Sequence, residues 1–165
     1  LTVRPIRPED APLLEEMFNA LSPMSIYYRF FSPMKHLPHH MLARFTQIDY
    51  DRDVAMVAIS CTEGTEKMLG VSRVISQSNR KNAEFAVLVA DQWHGKGIGA
   101  ALLKRCLDIA RTRNIEKIHG FVLSGNVKML ALARKMGFTI KQQPGTGEYE
   151  CTLDLSEAGY GQMAG

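Results

Sequence analysis

The stretch Val87-Leu88-Val89-Ala90-Asp91-Gln92-Trp93-His94-Gly95-Lys96-Gly97-Ile98-Gly99 decides how this chain folds. Its apolar start closes a strand predicted over Ala83 to Ala90. Its end opens a long amphipathic helix over Gly97 to Asn114, with Ile98, Leu102, Leu103, Cys106, Leu107, Ile109 and Ala110 in one apolar band. Between the two, Gly95, Gly97 and Gly99 permit positive φ angles and let a ligand approach the backbone with no Cβ in the way. The first amides of a helix have no partner within it, and the aligned peptide dipoles add about half a positive charge there. A strand, a glycine-rich loop and a helix start in this order suit phosphate oxygens.

The phosphate ligand is narrowed by what the loop lacks. It has no GxxxxGK[ST] pattern for a nucleoside triphosphate. The dinucleotide pattern GxGxxG fails at position 100, which is Ala, and no clear acidic residue follows about 20 residues later. A glycine-rich helix start with no ligand is the plain alternative, and the flanking strand and long helix weigh against it.

Outward from this segment, the chain reads as strand, helices, three strands, helix, strand, helix, two strands. The early elements are a strand at Thr2 to Ile6 and helices at Pro8 to Leu21, Ser25 to Phe31 and His39 to Thr46. Strands follow at Val54 to Cys61 and Met68 to Ile75. After the long helix come a strand at Ile118 to Leu123, a helix at Val127 to Met136 stopped by Gly137, and strands at Phe138 to Lys141 and Tyr149 to Leu155. This order predicts an α/β protein, a mixed sheet with helices on its faces.

The 165 residues suit one domain over 1–155, with a loose tail at 156–165. The start at Leu1 suggests a piece excised from a longer protein or a processed chain. Apolar residues at 45% and charged residues at 22% are the balance of a globular protein, not a disordered one. No apolar run approaches the roughly 20 residues that cross a bilayer, and no secretory signal opens the chain. A net charge of +3, 20 basic against 17 acidic residues, is too mild to point to nucleic acid. Cys61, Cys106 and Cys151 are an odd, widely spaced set, which predicts free buried thiols in a reducing cytoplasm.

Two further patterns give the chain a family resemblance. Gln92-x-x-Gly95-x-Gly97-x-Gly99 resembles the pyrophosphate loop of the GNAT family of N-acetyltransferases, and Asn126-x-x-Met129-x-x-x-Ala133-x-Lys135-x-Gly137-Phe138 resembles that family's second signature. Arg4-Pro5-Ile6-Arg7-Pro8-Glu9-Asp10, Tyr28-Arg29-Phe30-Phe31, Thr46-Gln47-Ile48-Asp49-Tyr50 and Ala83-Glu84-Phe85-Ala86-Val87 narrow the likeness to the acetyltransferase domain of bacterial protein lysine acetyltransferases. There the domain is often joined to an acyl-CoA-synthetase-like region. The resemblance implies a GNAT fold, a mixed, mostly antiparallel sheet of about six to seven strands with helices on both faces. It implies acetyl-CoA as cosubstrate and no metal.

The resemblance also implies roles. Val87, Leu88 and Val89 would line the coenzyme arm, with backbone groups of Val87 and Val89 bonding to it. Amides from Gln92 to Ala100, through His94, Gly95, Lys96, Gly97, Ile98 and Gly99, would hold the diphosphate. Asn126 and Met129 would contact the coenzyme from the far side of a splayed pair of strands.

A lysine acceptor in water titrates near pH 10.4, so only about one in 2,500 is neutral at pH 7 and a base must take its proton. Glu84 is the candidate. Alternation puts it with Ala86 and Leu88 on one face, opposite Phe85, Val87 and Val89. Burial among apolar neighbours would raise its pKa. The resemblance implies a glutamate base in this context, and the plain alternative is an exposed glutamate or one paired with Arg73. The family's usual acid, a tyrosine, falls at Ala133, which leaves the acid unassigned.

His36, His39 and His40 lack a fourth ligand and predict a solvated helix start. Asp49, Asp51 and Asp53 are read as loop acids that a lysine-bearing surface would favour. Trp93, Tyr27 and Tyr28 read as packing residues. The leading expectation is a cytoplasmic protein Nε-lysine acetyltransferase, with an acyl-CoA synthetase as target and a fused regulatory domain. Beside it stand a small-amine or N-terminal acetyltransferase, a non-catalytic acyl-CoA sensor and a nucleotide-binding module.

Overall fold

The computed structural model describes residues 1–156. The tail expected at 156–165 lies, apart from Ser156, outside the described residues. Strands β1 (Thr2–Pro5), β2 (Val54–Thr62), β3 (Thr65–Ser76), β4 (Asn82–Val89), β5 (Lys117–Leu123), β6 (Thr139–Gln143) and β7 (Glu148–Asp154) form one sheet in the order β1-β2-β3-β4-β5-β7-β6. Every neighbouring pair is antiparallel except β4 and β5. The helices are α1 (Ala11–Asn19), α2 (Pro23–Phe30), α3 (His39–Thr46), α4 (Ile98–Thr112) and α5 (Val127–Lys135).

Helices cover both faces, and β2 shows why. Val54, Met56 and Ala58 belong to the core beneath α4 and α5, while Ala55, Val57 and Ile59 belong to the core beneath α1 to α3. The strand's two-residue alternation thus feeds two apolar layers, so no position from Val54 to Ile59 is polar. Leu102, Leu103 and Leu107 of α4 are fully buried, each contributing about 1.5–3 kcal/mol.

The expected Pro8–Leu21 helix divides. Pro8–Asp10 is a 3-10 turn, and α1 begins at Ala11. Pro12 carries no N–H to donate back to Pro8, which interrupts the helical ladder between them. α2 starts two residues earlier than expected because Ser22 caps it, accepting from the Ser25 amide at 3.1 Å with Pro23 in the first turn. Arg4 makes a bidentate ion pair with buried Asp10, both bonds 2.8 Å, and the Arg7 amide donates to the same carboxylate at 2.8 Å. This clamp fixes the turn from β1 into α1.

The expectation of three buried thiols is corrected at Cys61, which is exposed near the end of β2; Cys106 and Cys151 are buried and free. Burial pushes the Cys106 thiol up to about 11, so it carries no thiolate at neutral pH.

Candidate active site

β4 is paired with β3 along its whole length, from Ala83 opposite Ser76 to Val89 opposite Gly70. Its other edge is different. Pairing with β5 runs only through Asn82–Lys117, Ala83–Ile118 and Glu84–His119. From Phe85 onward the two strands part, and a wedge opens between them. The Ala90 amide bonds to Leu69 on the β3 side at 2.8 Å. Backbone groups alternate along a strand, so the N–H and C=O of Val87 and Val89 point into the wedge. The Val89 carbonyl meets His94 Nε2 at 2.8 Å.

Past the wedge the chain turns through a 3-10 turn at Asp91–Trp93 and enters α4. Gly95 and Gly97 adopt φ of +74° and +84°. A Cβ on either would meet nothing within 4 Å, so their glycines serve the backbone angle. Gly99 is a correction. It lies inside α4 without a positive φ, and a Cβ there would come 3.3 Å from Leu132 Cδ2 and 3.5 Å from both Val87 and Val89. It lets α4 pack closely on β4 and α5. No side chain caps α4, and its first bond runs from the Ala101 amide to the Gly97 carbonyl at 3.1 Å. The amides of Ile98, Gly99 and Ala100 therefore stay open at the loop.

These parts line one cavity of about 860 Å³, within the usual range for a small-molecule site. Its wall includes Glu84, Val87, Leu88, Val89, His94, Gly95, Gly97, Ile98, Gly99, Ala100, Asn126 and Met129. Gln92 and Lys96 stand exposed beside the loop and outside that wall. Asn126 caps α5 by accepting from the Met129 amide at 3.3 Å, which leaves its side-chain NH₂ for a ligand.

Glu84 shares the wall and is exposed, so of the readings the sequence leaves open the exposed glutamate is the one found. It does not pair with Arg73, whose Nη1 donates to the Phe45 carbonyl at 2.7 Å. Its charge instead registers on Arg29 of α2. Burial pulls the Arg29 guanidinium down to about 10, and Glu84 opposes that pull. Arg29 thus stays cationic at neutral pH beside the carboxylate. The alternation is as expected: Leu88 joins the core of α1 to α3, and Phe85, Val87 and Val89 pack toward α4 and α5. Ala133 is fully buried and offers no proton.

Arg29, Arg44, Phe45, Phe121 and Lys128 also line the wall though the sequence gives them no role at the site, and so do Trp93 and Tyr28, expected only as packing residues. The Tyr28 hydroxyl donates to the Gly125 carbonyl at 3.0 Å, tying α2 to the loop before α5 across the wedge. The only sequence signal for it is its place in the Tyr28-Arg29-Phe30-Phe31 motif. The acidic loop has internal work instead: Asp53 accepts from the Ser76 amide at 2.9 Å and Asp49 from the Asp51 amide at 3.1 Å. His36, His39 and His40 are exposed around the start of α3. No helix among the described residues is long and apolar enough to cross a membrane.

A strand wedge closed by one parallel pair and floored by open helix amides has relatives. Residues 1–139 match the family described as Acetyltransferase (GNAT) domain. The chain belongs to the GNAT acetyltransferase family. As a GNAT acetyltransferase it is similar to the GNAT domain of S. lividans PAT, 31% identical with a TM-score of 0.82, covering 92% of this chain and 89% of that one. An acetyltransferase of Pseudomonas aeruginosa is 29% identical over 86% of this chain and 76% of its own length. An L-methionine sulfoximine/L-methionine sulfone acetyltransferase of Pseudomonas paraeruginosa is 34% identical over 47% of this chain and 46% of its own. The expected fold is as found, with seven strands and helices on both faces.

Proposed function

We propose that this GNAT acetyltransferase moves the acetyl group of acetyl-CoA onto the ε-amine of a lysine in a protein, with Glu84 as general base. The observation that carries the reading is the position of Glu84. It stands in the cavity wall at the point where β4 and β5 part. A donor arm laid along the open edge of β4 would meet the backbone groups of Val87 and Val89. Its diphosphate would meet the amides of Ile98, Gly99 and Ala100, with Lys128 and Lys135 in the same wall.

Glu84 accepts a proton from the lysine, directly or through water, and the neutral nitrogen attacks the thioester carbonyl. An N–C bond forms, and the negative charge gathers on the carbonyl oxygen near the wedge-facing β4 amides. Collapse breaks the C–S bond and releases coenzyme A as thiolate; the second proton of the attacking nitrogen passes through water and neutralises that thiolate, since Ala133 holds no acid. The products are an Nε-acetyl amide and coenzyme A.

The likeness to the GNAT domain of S. lividans PAT and the Ala83–Val87 motif support the lysine acceptor. On the same motifs we put forward an acyl-CoA synthetase as target, residues 1–155 as the catalytic unit, and a cytoplasmic setting consistent with free thiols. The named activity of the sulfoximine/sulfone acetyltransferase supports a second reading, a small amine acceptor. Incubation with acetyl-CoA, a purified acyl-CoA synthetase and a cell extract, read by mass spectrometry, tests the proposal. Acetylated lysines that appear only with active enzyme are expected; their absence, with acetyl-CoA still bound in a calorimeter, rejects the protein acceptor.

A further inference from the structure

Three arginines from three elements converge on one aromatic ring. The guanidinium of Arg73 on β3 lies 4.5 Å from the Phe45 ring centre, that of Arg44 on α3 5.6 Å, and that of Arg29 on α2 5.9 Å. Arg29 also lies 4.7 Å from the Phe30 ring. Arg73 is buried and committed to the Phe45 carbonyl, which fastens α3 to the sheet. Arg29 and Arg44 are not so engaged. Among the described residues no hydrogen bond or ion pair takes up their donors, and both line the cavity with Glu84.

The electrostatics of this corner are lopsided. Like charges on one ring repel: burial first, and then the charges of Arg29 and Arg44, disfavour the charged form of Arg73. Glu84 is the carboxylate that acts on Arg29, and the remaining acid of the cavity wall is Glu148 at the start of β7. The donor's phosphates do not need these arginines, because the open amides of α4 follow the far end of β4. A purely cationic acceptor would meet two guanidiniums sharing the single nearby charge of Glu84. An acceptor that also carries an anion would relieve them, and a planar guanidinium matches a carboxylate bond for bond.

We infer that Arg29 and Arg44 form a subsite for a carboxylate carried by the acceptor, set so that the acceptor's amine faces Glu84. The substrate class is therefore an amine with a carboxylate close by: a free amino acid, or a lysine flanked by acidic side chains. The inference rests on the amine-acetylation reading above and deepens it. Phe30, Phe45 and Met41 supply the apolar wall beside the two cations.

Two matched pairs of acceptors test it, with acetyl-CoA as donor: L-lysine against L-lysinamide, and a capped Glu-Lys-Glu peptide against Gln-Lys-Gln. In at least one pair the carboxylate member has a kcat/KM higher by about tenfold or more, carried mainly by acceptor KM. In R44Q, an exposed site whose folding is checked by thermal melt, and in R29K, the ratio falls below about threefold while donor KM stays within about twofold. The pair that responds identifies the carboxylate's source. Equal rates within both pairs, a preference undiminished in both variants, a change confined to donor KM, or no turnover of any of the four overturns the subsite. Lysine peptides acetylated without preference, with L-lysine and L-lysinamide also equal, leave the lysine reading standing and remove the subsite alone. Free lysine acetylated on its α-amine, with the preference intact, keeps the subsite and removes the lysine side chain as acceptor.

Discussion

Glu84 on β4 and His119 on β5 are the last residues at which the two parallel strands remain in register. The base proposed for the reaction therefore stands at the apex of the wedge, where a rigid, paired segment becomes an open one. Replacement by glutamine keeps the shape and removes the proton acceptor. E84Q is expected to lose about 10²–10⁴ in kcat while its affinity for acetyl-CoA stays within about twofold. Stopped assays with calorimetry on the same sample read both, and undiminished kcat would take Glu84 out of the chemistry.

The loop glycines separate into two kinds. Gly97 holds φ at +84° with open space around it, so G97A costs about 1–2 kcal/mol in backbone strain wherever the methyl points. It should melt lower and bind acetyl-CoA more weakly. G99A gains about 1 kcal/mol of helix propensity and loses part of it to the 3.3 Å approach to Leu132. Thermal melts that place G97A level with wild type would contradict the strain at Gly97.

Gly120 on β5 answers to Phe85. A Cβ there would lie 2.7 Å from Phe85 Cε1, and that ring is packed 4.7 Å from Phe138. G120A is expected to cost about 1–3 kcal/mol by overpacking, and F85L to recover much of that loss in the double variant. Urea midpoints of the four proteins give the coupling; strict additivity would show that the two do not compete for space.

Asp10 sets an acid limit on stability. Burial alone would raise its carboxyl, but Arg4 and the Arg7 amide outweigh burial and hold it below the usual carboxylate range. A depressed folded pKa means the stabilisation is complete above the unfolded value of about 3.9 and is lost as pH falls through the lower folded value. D10N should be less stable than wild type by about 1–3 kcal/mol at pH 7. The gap should narrow as pH falls below about 4. Urea titrations at pH 7 and pH 3 that show a constant gap would refute the assignment.

The strand end, the glycine loop and the start of α4 are legible in the sequence because their signals are local, whereas the parting of β4 from β5 is only what the family resemblance implies. The apolar strand end, the glycines and the α4 stripe lie within one short run, and α3 begins and ends where its pattern says. The division of the Pro8–Leu21 helix escapes the pattern because a missing proline donor acts one turn away. Gly99 escapes it because spacing alone does not tell a positive φ from a close contact. The arginine corner is out of reach: Arg29, Arg44 and Arg73 share no spacing, and only the packing of α2 and α3 on β3 brings them to Phe45. Alternation gives the face on which Glu84 lies but not how much of it the helices leave uncovered.

Toward the wedge, β4 is sealed by β3 on one edge and paired with no strand on the other. Five residue steps, about 3.3 Å each, separate Glu84 from Val89, so the strand acts as a measuring rod of roughly 17 Å. Its length is set by backbone pleat and not by any side chain, which makes it hard to retune by substitution. A thioester on a shortened arm would dock its phosphates and leave its carbonyl stranded short of the carboxylate, an inhibitor in place of a substrate.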